Sequence, residues 1–238
     1  FNRFSSGLEP EMEILKYFVG RGDRVIDVGG NRGIYAYRFW KLGARVEIFE
    51  PNINCYGVLS SWVTGKKDVN VHNIALSNVA GSAYLHVPVD DAGIEHDSSG
   101  SVESIEYVST LDQQVELRQL DSYHFEDVKF IKIDVEGHEA SVIEGAVETI
   151  RSMKPSMLIE IEQRHNGKPV LEMFNRILEF GYAGYFLRNG RLVTINEFVL
   201  ERDQSPNNLG NLAQEYINNF IFIHKSKICG IKNIFNNE

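Results

Sequence analysis

The sequence of 238 residues predicts an α/β protein with a doubly wound, mostly parallel sheet. Short apolar segments alternate with segments of helical periodicity, and a glycine-rich turn joins the first such pair. The length suits one hydrophobic core, so we expect a single domain over residues 1–238. Within it we expect an N-terminal helical region at 1–20, a β-rich insertion at 82–120, and a C-terminal linker, helix and closing strand at 201–238.

Composition and charge argue against several classes of protein. No apolar run approaches the roughly 20 residues of a membrane helix. A net charge of −9 repels phosphate backbones, so we expect no nucleic-acid partner. Cys55 and Cys229 lie far apart without CxxC spacing, which favours reduced thiols and a cytoplasmic protein. The start, FNRFSSGLEP, lacks a signal-peptide pattern and an initiator Met, so we expect a piece of a longer chain. The oligomeric state stays open.

The first half of the chain reads as alternating helices and strands. Apolar spacing predicts helices at 8–18, 34–43 and 54–63 and strands at 24–28, 44–50 and 69–76. The next segment, SAYLHVPV (82–89), precedes a Ser/Asp/Gly-rich loop at 90–104 and the alternating segments SIEYVST and QVELRQL. We interpret this middle region as the β-rich insertion, with its loop as a substrate lid or an excursion without function.

The second half resumes the parallel sheet. FIKID (130–134) and PSMLIEIE (155–162) are predicted strands, separated by an amphipathic helix at 140–153. A helix at 169–181 follows, then the closing strands YAGYFL, RLVTI and NFIFIHK, with a polar linker at 201–211 and a short helix at about 212–218.

The turn IDVGGNRG connects the first predicted strand to a helix. Glycines there allow backbone N–H groups to approach a ligand without a Cβ atom in the way. The spacing departs from G-x-G-x-x-G, so a pyrophosphate site is disfavoured. Asp27 at the strand end can accept from an ammonium, and Glu50 ends the second strand seventeen positions after Gly33. Doubly wound folds place the carboxylate that holds ribose hydroxyls there, so the pattern predicts a nucleoside-type cofactor.

Several motifs in order resemble the FkbM-type methyltransferases, a family of class I S-adenosylmethionine-dependent enzymes. They are VIDVGGNRG, IFEPN, NIALSN, LRQLDSY, FIKIDVEGHEASVIEGA and LIEIE, which span about Val25 to Glu162. The resemblance implies a Rossmann-like, seven-stranded, mostly parallel sheet with one antiparallel strand, for which NFIFIHK is the candidate. It also implies O-methylation of a sugar or natural-product hydroxyl.

The same resemblance implies a set of S-adenosylmethionine contacts. Those at the methionine portion are Asp27, Gly29 and Asn31, with Gly30 and Gly33 in the same turn. Glu50 holds the ribose, Asn73 to Ala75 pass near the adenine, and Asp134 faces the cofactor cleft. The chain departs from the commonest family pattern at Gly30 and Arg32, where Ala or an apolar residue is more usual.

Methyl transfer to a hydroxyl requires a group that removes a proton. The candidates follow FIKI at the carboxyl end of its strand: Asp134, Glu136 and His138. His138 is the preferred base because neutral imidazole is available near pH 7. Asp134 and Glu136 orient that ring or contact the cofactor, and His165 is a second candidate base. A divalent metal held by Asp134, Glu136 and His138 is the alternative, and Glu136 could instead be a first-turn acid of the helix.

The sequence thus predicts an O-methyltransferase acting on a small molecule or glycoside. Two alternatives stay open: a nicotinamide-dependent oxidoreductase, disfavoured by the broken G-x-G-x-x-G, and a non-catalytic binding module of the same fold. Transfer to a base nitrogen is disfavoured because no [DN]PP[YF] motif follows FIKID.

Overall fold

A computed structural model describes residues 9–89, 100–103, 109–167, 169–208 and 215–231. The strands in these ranges are β1 (Arg24–Val28), β2 (Arg45–Phe49), β3 (Val69–His72), β4 (Ala75–Leu76), β5 (Gly81–Pro88), β6 (Thr110–Arg118), β7 (Val128–Ile133), β8 (Ser156–Glu160), β9 (Tyr182–Arg188), β10 (Arg191–Thr194) and β11 (Asn219–His224). The α-helices are α1 (Glu11–Ile14), α2 (Ile34–Lys41), α3 (Ile53–Val63), α4 (Glu139–Glu144), α5 (Val147–Met153), α6 (Val170–Glu179) and α7 (Leu200–Asp203).

The main sheet has the strand order β10-β9-β11-β8-β7-β1-β2-β3. The five strands from β8 to β3 run parallel, and β11 runs antiparallel to both of its neighbours. Strand order reverses between β1 and β7, which is where such sheets leave a crevice at the carboxyl ends of their strands. The predicted α/β class is therefore confirmed.

Two hydrophobic clusters cover the two faces of this sheet. One packs α4, α5 and α6 against Ile26, Ile131 and Ile159, and the other packs α2 and α3 against Val25 and Phe130. Consecutive residues of β1 and β7 thus point to opposite faces, and both faces are buried. Such strands read as near-continuous apolar runs, as RVIDV and FIKI do.

The sheet has eight strands, whereas seven were predicted. The extra edge strand is β10, which pairs antiparallel with β9. Asn189 and Gly190 connect the two strands with φ values of 50° and 70°. Two residues at positive φ suit a tight hairpin, and Asn-Gly is the favoured pair for it.

A second, three-stranded sheet has the order β4-β6-β5 and falls within the predicted insertion. The predicted strand at 69–76 divides between the two sheets, because β3 joins the main sheet and β4 pairs with β6. Asn73 lies at the division, and its amide donates to the carbonyls of Glu50 and Pro51 at 2.9 and 2.8 Å. Residues 90–99 and 104–108, which hold most of the predicted loop and of SIEYVST, lie outside the described ranges.

Three predicted helices differ from the structure. The helix at 140–153 is broken between α4 and α5, where a Cβ atom on Gly145 would lie 2.0 Å from the carbonyl oxygen of Ser77. The N-terminal helix is limited to α1 and a 3-10 turn at Leu15–Tyr17. Of the helix expected at about 212–218, residues 212–214 lie outside the described ranges and 215–218 are not helical. The predicted linker also contains α7 and a 3-10 turn at Pro206–Asn208.

No helix in the described ranges is long and apolar enough to cross a membrane.

Candidate active site

The glycine turn brings the ends of β1 and β7 into contact. Asp134 donates its N–H to the carbonyl of Val28 at 3.0 Å, and Gly29 donates to Phe49 at 2.9 Å. Gly29 has a φ of 75°, and a Cβ atom there would lie 1.8 Å from the carbonyl oxygen of Asp134. Only glycine fits this close approach of two backbones. The turn therefore leaves backbone groups, rather than side chains, facing the crevice.

A cavity of about 60 Å³ lies in this crevice. Its lining comes from the ends of β1, β2 and β7, from the segment at β4, and from the small sheet with residues 100 and 102; the residues are Val28, Gly29, Asn31, Phe49, Glu50, Pro51, Asn52, Ile74, Ala75, Leu76, Leu85, Gly100, Val102, Asp134, Val135, Glu136 and His138. The wall is apolar except at a few carboxylates and amides, which is typical of small-molecule sites.

Glu50 is the buried carboxylate of this cavity. Asn31 donates its N–H to Oε2 at 2.6 Å, and Asn52 donates its N–H to Oε1 at 2.8 Å. Asn52 also caps α3, since its side chain accepts from the N–H of Asn54 at 2.8 Å. Burial raises the pKa of Glu50 to about 7, although the two N–H donors oppose the shift. Each carboxylate oxygen keeps capacity for a further donor, so Glu50 can bind two hydroxyls.

Asp27 and Lys132 form the buried charge layer below the turn. Lys132 donates to Asp134 Oδ2 at 2.7 Å and lies 4.9 Å from the ring centroid of Tyr35. Burial alone would lower the pKa of Lys132, but the negative charges of Asp134 and Asp27 outweigh it and raise the pKa. Burial raises the pKa of Asp27 to about 6 against the attraction of Lys132. Neither carboxylate oxygen of Asp27 has a hydrogen bond of standard geometry.

The predicted cofactor residues divide into two groups. Gly29, Asn31, Glu50, Ala75 and Asp134 line the cavity. The others lie behind that lining: Asp27, Gly30, Gly33 and Asn73. A Cβ atom on Gly30 would lie 2.2 Å from Cγ2 of Ile48, Gly33 is the left-handed N-cap of α2, and Asn73 clamps the Glu50–Pro51 backbone.

The three predicted catalytic side chains turn to different partners. Asp134 binds Lys132 at 2.7 Å, Glu136 Oε2 lies 2.6 Å from His165 Nδ1, and His138 Nδ1 lies 2.7 Å from Glu103 Oε1. The described residues contain no group of three or more His, Cys, Asp or Glu side chains that could hold a metal ion. Asp134, Glu136 and His138 are therefore not assembled as the alternative metal site requires.

His138 is 7% exposed, and both of its ring nitrogens have partners. Nδ1 faces Glu103 and Nε2 lies 3.0 Å from Ser77 Oγ. Since a carboxylate can only accept, Nδ1 carries the proton and Nε2 accepts from Ser77. Ser77 Oγ has a second acceptor in Asn78 Oδ1 at 3.4 Å. The ring thus has a defined tautomer with a basic Nε2.

Glu136 has the left-handed φ of 50°, which is uncommon for a residue with a side chain. Such conformations cluster at functional sites, where the surrounding structure imposes them. A Cβ atom on the next residue, Gly137, would lie 2.4 Å from the carbonyl oxygen of His165, so the two segments pack closely. The hydrogen bond with Glu136 raises the pKa of His165. Glu136 is thus a cavity carboxylate held by a histidine.

Residues from the insertion complete this part of the site. Ser101 donates its hydroxyl to the carbonyl of Glu136 at 2.6 Å and pairs with His86 through backbone hydrogen bonds of 2.8 and 3.1 Å. Glu103 donates its N–H to Ser101 Oγ at 3.1 Å and holds His138. Sequence reasoning missed Ser77, Ser101 and Glu103. Their partners lie 61 and 35 positions away, and no local pattern signals such contacts.

Comparisons with known proteins identify relatives by fold. Methyltransferase FkbM from Methylobacillus flagellatus KT matches over 90% of this chain and 50% of its own, with 17% identity and a TM-score of 0.53. The chain thus spans about half the length of that protein. A SAM-dependent methyltransferase from Aquifex aeolicus matches over 94% and 93% of the two chains, with 14% identity and a TM-score of 0.48. An rRNA methylase from Streptococcus thermophilus matches over 90% and 95%, with 10% identity and a TM-score of 0.49.

No curated protein compared with the chain matches it. The model of the methyltransferase FkbM domain matches residues 27–187, which is more than half of the sequence. That range begins at the glycine turn and includes Glu50, Asp134, Glu136 and His138. The chain therefore belongs to the FkbM methyltransferase domain family.

Proposed function

We propose that the chain is an S-adenosylmethionine-dependent O-methyltransferase, with residues 1–238 forming one catalytic domain. The observation that carries the cofactor assignment is Glu50, a buried carboxylate with free acceptor capacity at the end of β2, facing a cavity beside the glycine turn. Carboxylates at this position of doubly wound folds bind ribose hydroxyls. The backbone at Gly29 and the carboxylate of Asp134 provide acceptors for an ammonium group nearby.

The lining fits this cofactor in chemistry, although the cavity is small. Phe49, Ile74, Ala75 and Leu76 form an apolar wall that suits a purine ring. A volume of about 60 Å³ is well below the roughly 300–1,000 Å³ of small-molecule pockets, so the lining has to widen on binding.

When bound, S-adenosylmethionine supplies an electrophilic methyl group on a sulfonium. The chain has to orient the acceptor hydroxyl and remove its proton. Glu136 and His138 both line the cavity. The contacts favour Glu136 as the base, because its Oε1 faces no described partner while both nitrogens of His138 are hydrogen bonded. His138, preferred on the sequence alone, then keeps the segment in place.

We propose a small molecule or glycoside as the acceptor, since sugar hydroxyls are weak acids that need such a base. The acidic wall formed by Glu50, Asp134 and Glu136 disfavours a polyanionic substrate such as RNA. We also keep the proposal of a cytoplasmic protein, which its reduced-thiol pattern supports.

Isothermal titration with S-adenosylhomocysteine tests the assignment. We expect saturable binding at micromolar ligand and no binding of NAD, which would separate the methyltransferase from a nicotinamide-dependent oxidoreductase. Absence of S-adenosylhomocysteine binding at high micromolar concentration would contradict the proposal. A screen with radiolabelled methyl donor over glycosides, lipids and polyketide alcohols then identifies the acceptor, and cofactor binding without any transfer would point to a binding module.

A further inference from the structure

One face of the protein, away from the carboxylates of the cavity, is aromatic and basic. We call it the α1–α3 face. It is formed by the following residues of α1, α2, α3 and their flanking turns: Met12, Arg32, Ile34, Tyr37, Arg38, Trp40, Lys41, Val58, Trp62 and Lys66.

Large apolar side chains on this face are unusually exposed. Ile34 is 48% exposed, Tyr37 49% and Val58 50%. Tyr37 lies 6.3 Å from Trp62 between ring centroids, so the exposed residues of α2 and α3 are neighbours. A groove of about 430 Å³ runs between them and α1. Single exposed apolar residues are ordinary, but a contiguous group with a groove marks a surface that is covered by something in use.

The charges of this face are opposite in sign to those of the chain as a whole. Arg32 and Arg38 line the groove. Lys66 Nζ lies 5.4 Å from the ring centroid of Trp40 and 5.0 Å from that of Trp62, and Lys41 Nζ lies 5.9 Å from Trp40. The carboxylate that meets these cations is Glu13, 3.7 Å from Arg38. Four cations against one acid on a chain of net charge −9 select an anionic partner.

We propose that the α1–α3 face docks the protein peripherally on an anionic lipid bilayer. Trp and Tyr prefer the interface between lipid and water, and Lys and Arg stems pack on apolar groups while their charged ends reach headgroup phosphates. A second copy bound through the same face would oppose four cations with four cations. The groove is shallow and half-exposed, which suits partial insertion of Ile34, Tyr37 and Val58 into a headgroup layer.

Vesicle flotation tests this proposal. Wild type is expected to float with vesicles of phosphatidylcholine containing about 30 mol % phosphatidylglycerol, and not with pure phosphatidylcholine, in line with electrostatic attraction to anionic lipid. The double variant Ile34→Ser/Tyr37→Ser and the double variant Lys41→Gln/Lys66→Gln should each lose about tenfold or more in partition. Raising the salt concentration should weaken binding of wild type.

The matched control is Leu171→Ser/Val199→Ser, which removes two apolar side chains that are 54% and 44% exposed elsewhere. It should float like wild type. Absence of binding to anionic vesicles, or equal loss in the control, overturns the proposal. Self-association of wild type that Ile34→Ser/Tyr37→Ser abolishes, without vesicle binding, overturns it in favour of a second copy. Circular dichroism melting checks that each variant is folded, and none of these outcomes depends on methyl transfer.

Discussion

The two halves of the candidate site are built in different ways. The cofactor half consists of strand ends and their turns: Gly29, Asn31, Glu50 and Asp134 are placed by backbone contacts within the main sheet. In the acceptor half, Glu136 and His138 depend on side-chain contacts with distant segments, including Glu103. The main sheet therefore fixes where a cofactor binds, while the insertion and the β8–α6 connection can change the acceptor.

The largest expected effect is that of Gly29→Ala, in the cofactor half. The new Cβ atom would lie 1.8 Å from the carbonyl oxygen of Asp134, at a φ that disfavours any side chain. We expect loss of S-adenosylhomocysteine binding and a fall in the free energy of unfolding of about 3 kcal/mol or more. Titration calorimetry and urea unfolding measure the two quantities.

Gly57→Ala is the matched control, because a Cβ atom there meets nothing within 4 Å and the residue lies within α3. Alanine should stabilise that helix by about 0.5–1 kcal/mol. Wild-type affinity in Gly29→Ala would show that the cofactor half does not need the close approach of β1 and β7.

The next effect concerns the base in the acceptor half. Glu136→Gln keeps the size of the side chain but removes its basicity, so methyl transfer to the acceptor identified by the screen should fall by about 100-fold or more. His138→Ala should also lower transfer, by a smaller factor. Both variants should bind S-adenosylhomocysteine with nearly wild-type affinity, because the contacts that hold the cofactor belong to the other half.

Initial rates with radiolabelled methyl donor give the comparison, with Glu126→Gln on an exposed loop as the control. A larger loss in His138→Ala than in Glu136→Gln would assign the base to His138. Collapse of cofactor affinity in either variant would contradict the division of the site into two halves.

A smaller effect is expected from Glu50→Gln, and it depends on pH. Glutamine replaces a charge-assisted acceptor, so the dissociation constant for S-adenosylhomocysteine should rise by about tenfold. Burial raises the pKa of Glu50 to about 7 in the folded protein, against 4.5 for an exposed glutamate. The folded state therefore binds a proton between these values that the unfolded state does not. This stabilisation is complete below pH 4.5 and is lost as the pH rises through about 7.

Urea unfolding of the ligand-free protein from pH 4.5 to 8 measures this term. Wild type should lose about 2 kcal/mol more than Glu50→Gln over that range. Burial also raises the pKa values of Glu11, Asp27 and Glu139, to about 7, 6 and 7, but these groups are present in both proteins and cancel in the difference. Identical pH profiles would show that the carboxylate is solvated in solution.

Sequence reasoning reached the two halves to different depths for a physical reason. Strand identity and order follow from local apolar runs and from the rule that carboxyl ends of parallel strands share an edge, so Gly29, Glu50 and Asp134 could be placed together. The eighth strand and the break in the helix at Gly145 depend on pairing and on a backbone contact with Ser77, which one segment alone does not encode. The partners of His138 are likewise invisible until the chain is folded.

The smallest expected effect sharpens the same division, through Glu103. Glu103→Ala removes the acceptor at Nδ1 of His138, so the ring should change from the single Nδ1–H tautomer to a mixture. Long-range nitrogen–proton correlation spectra of the labelled protein read the tautomer directly. Glu103→Gln keeps a side-chain oxygen that can accept the same proton and should retain the wild-type pattern. S-adenosylhomocysteine affinity should change by less than about threefold in both variants, since no direct cofactor contact is lost. A single tautomer in Glu103→Ala would mean that Ser77 alone orients the ring, and a large loss of affinity would mean that the insertion serves the cofactor half as well.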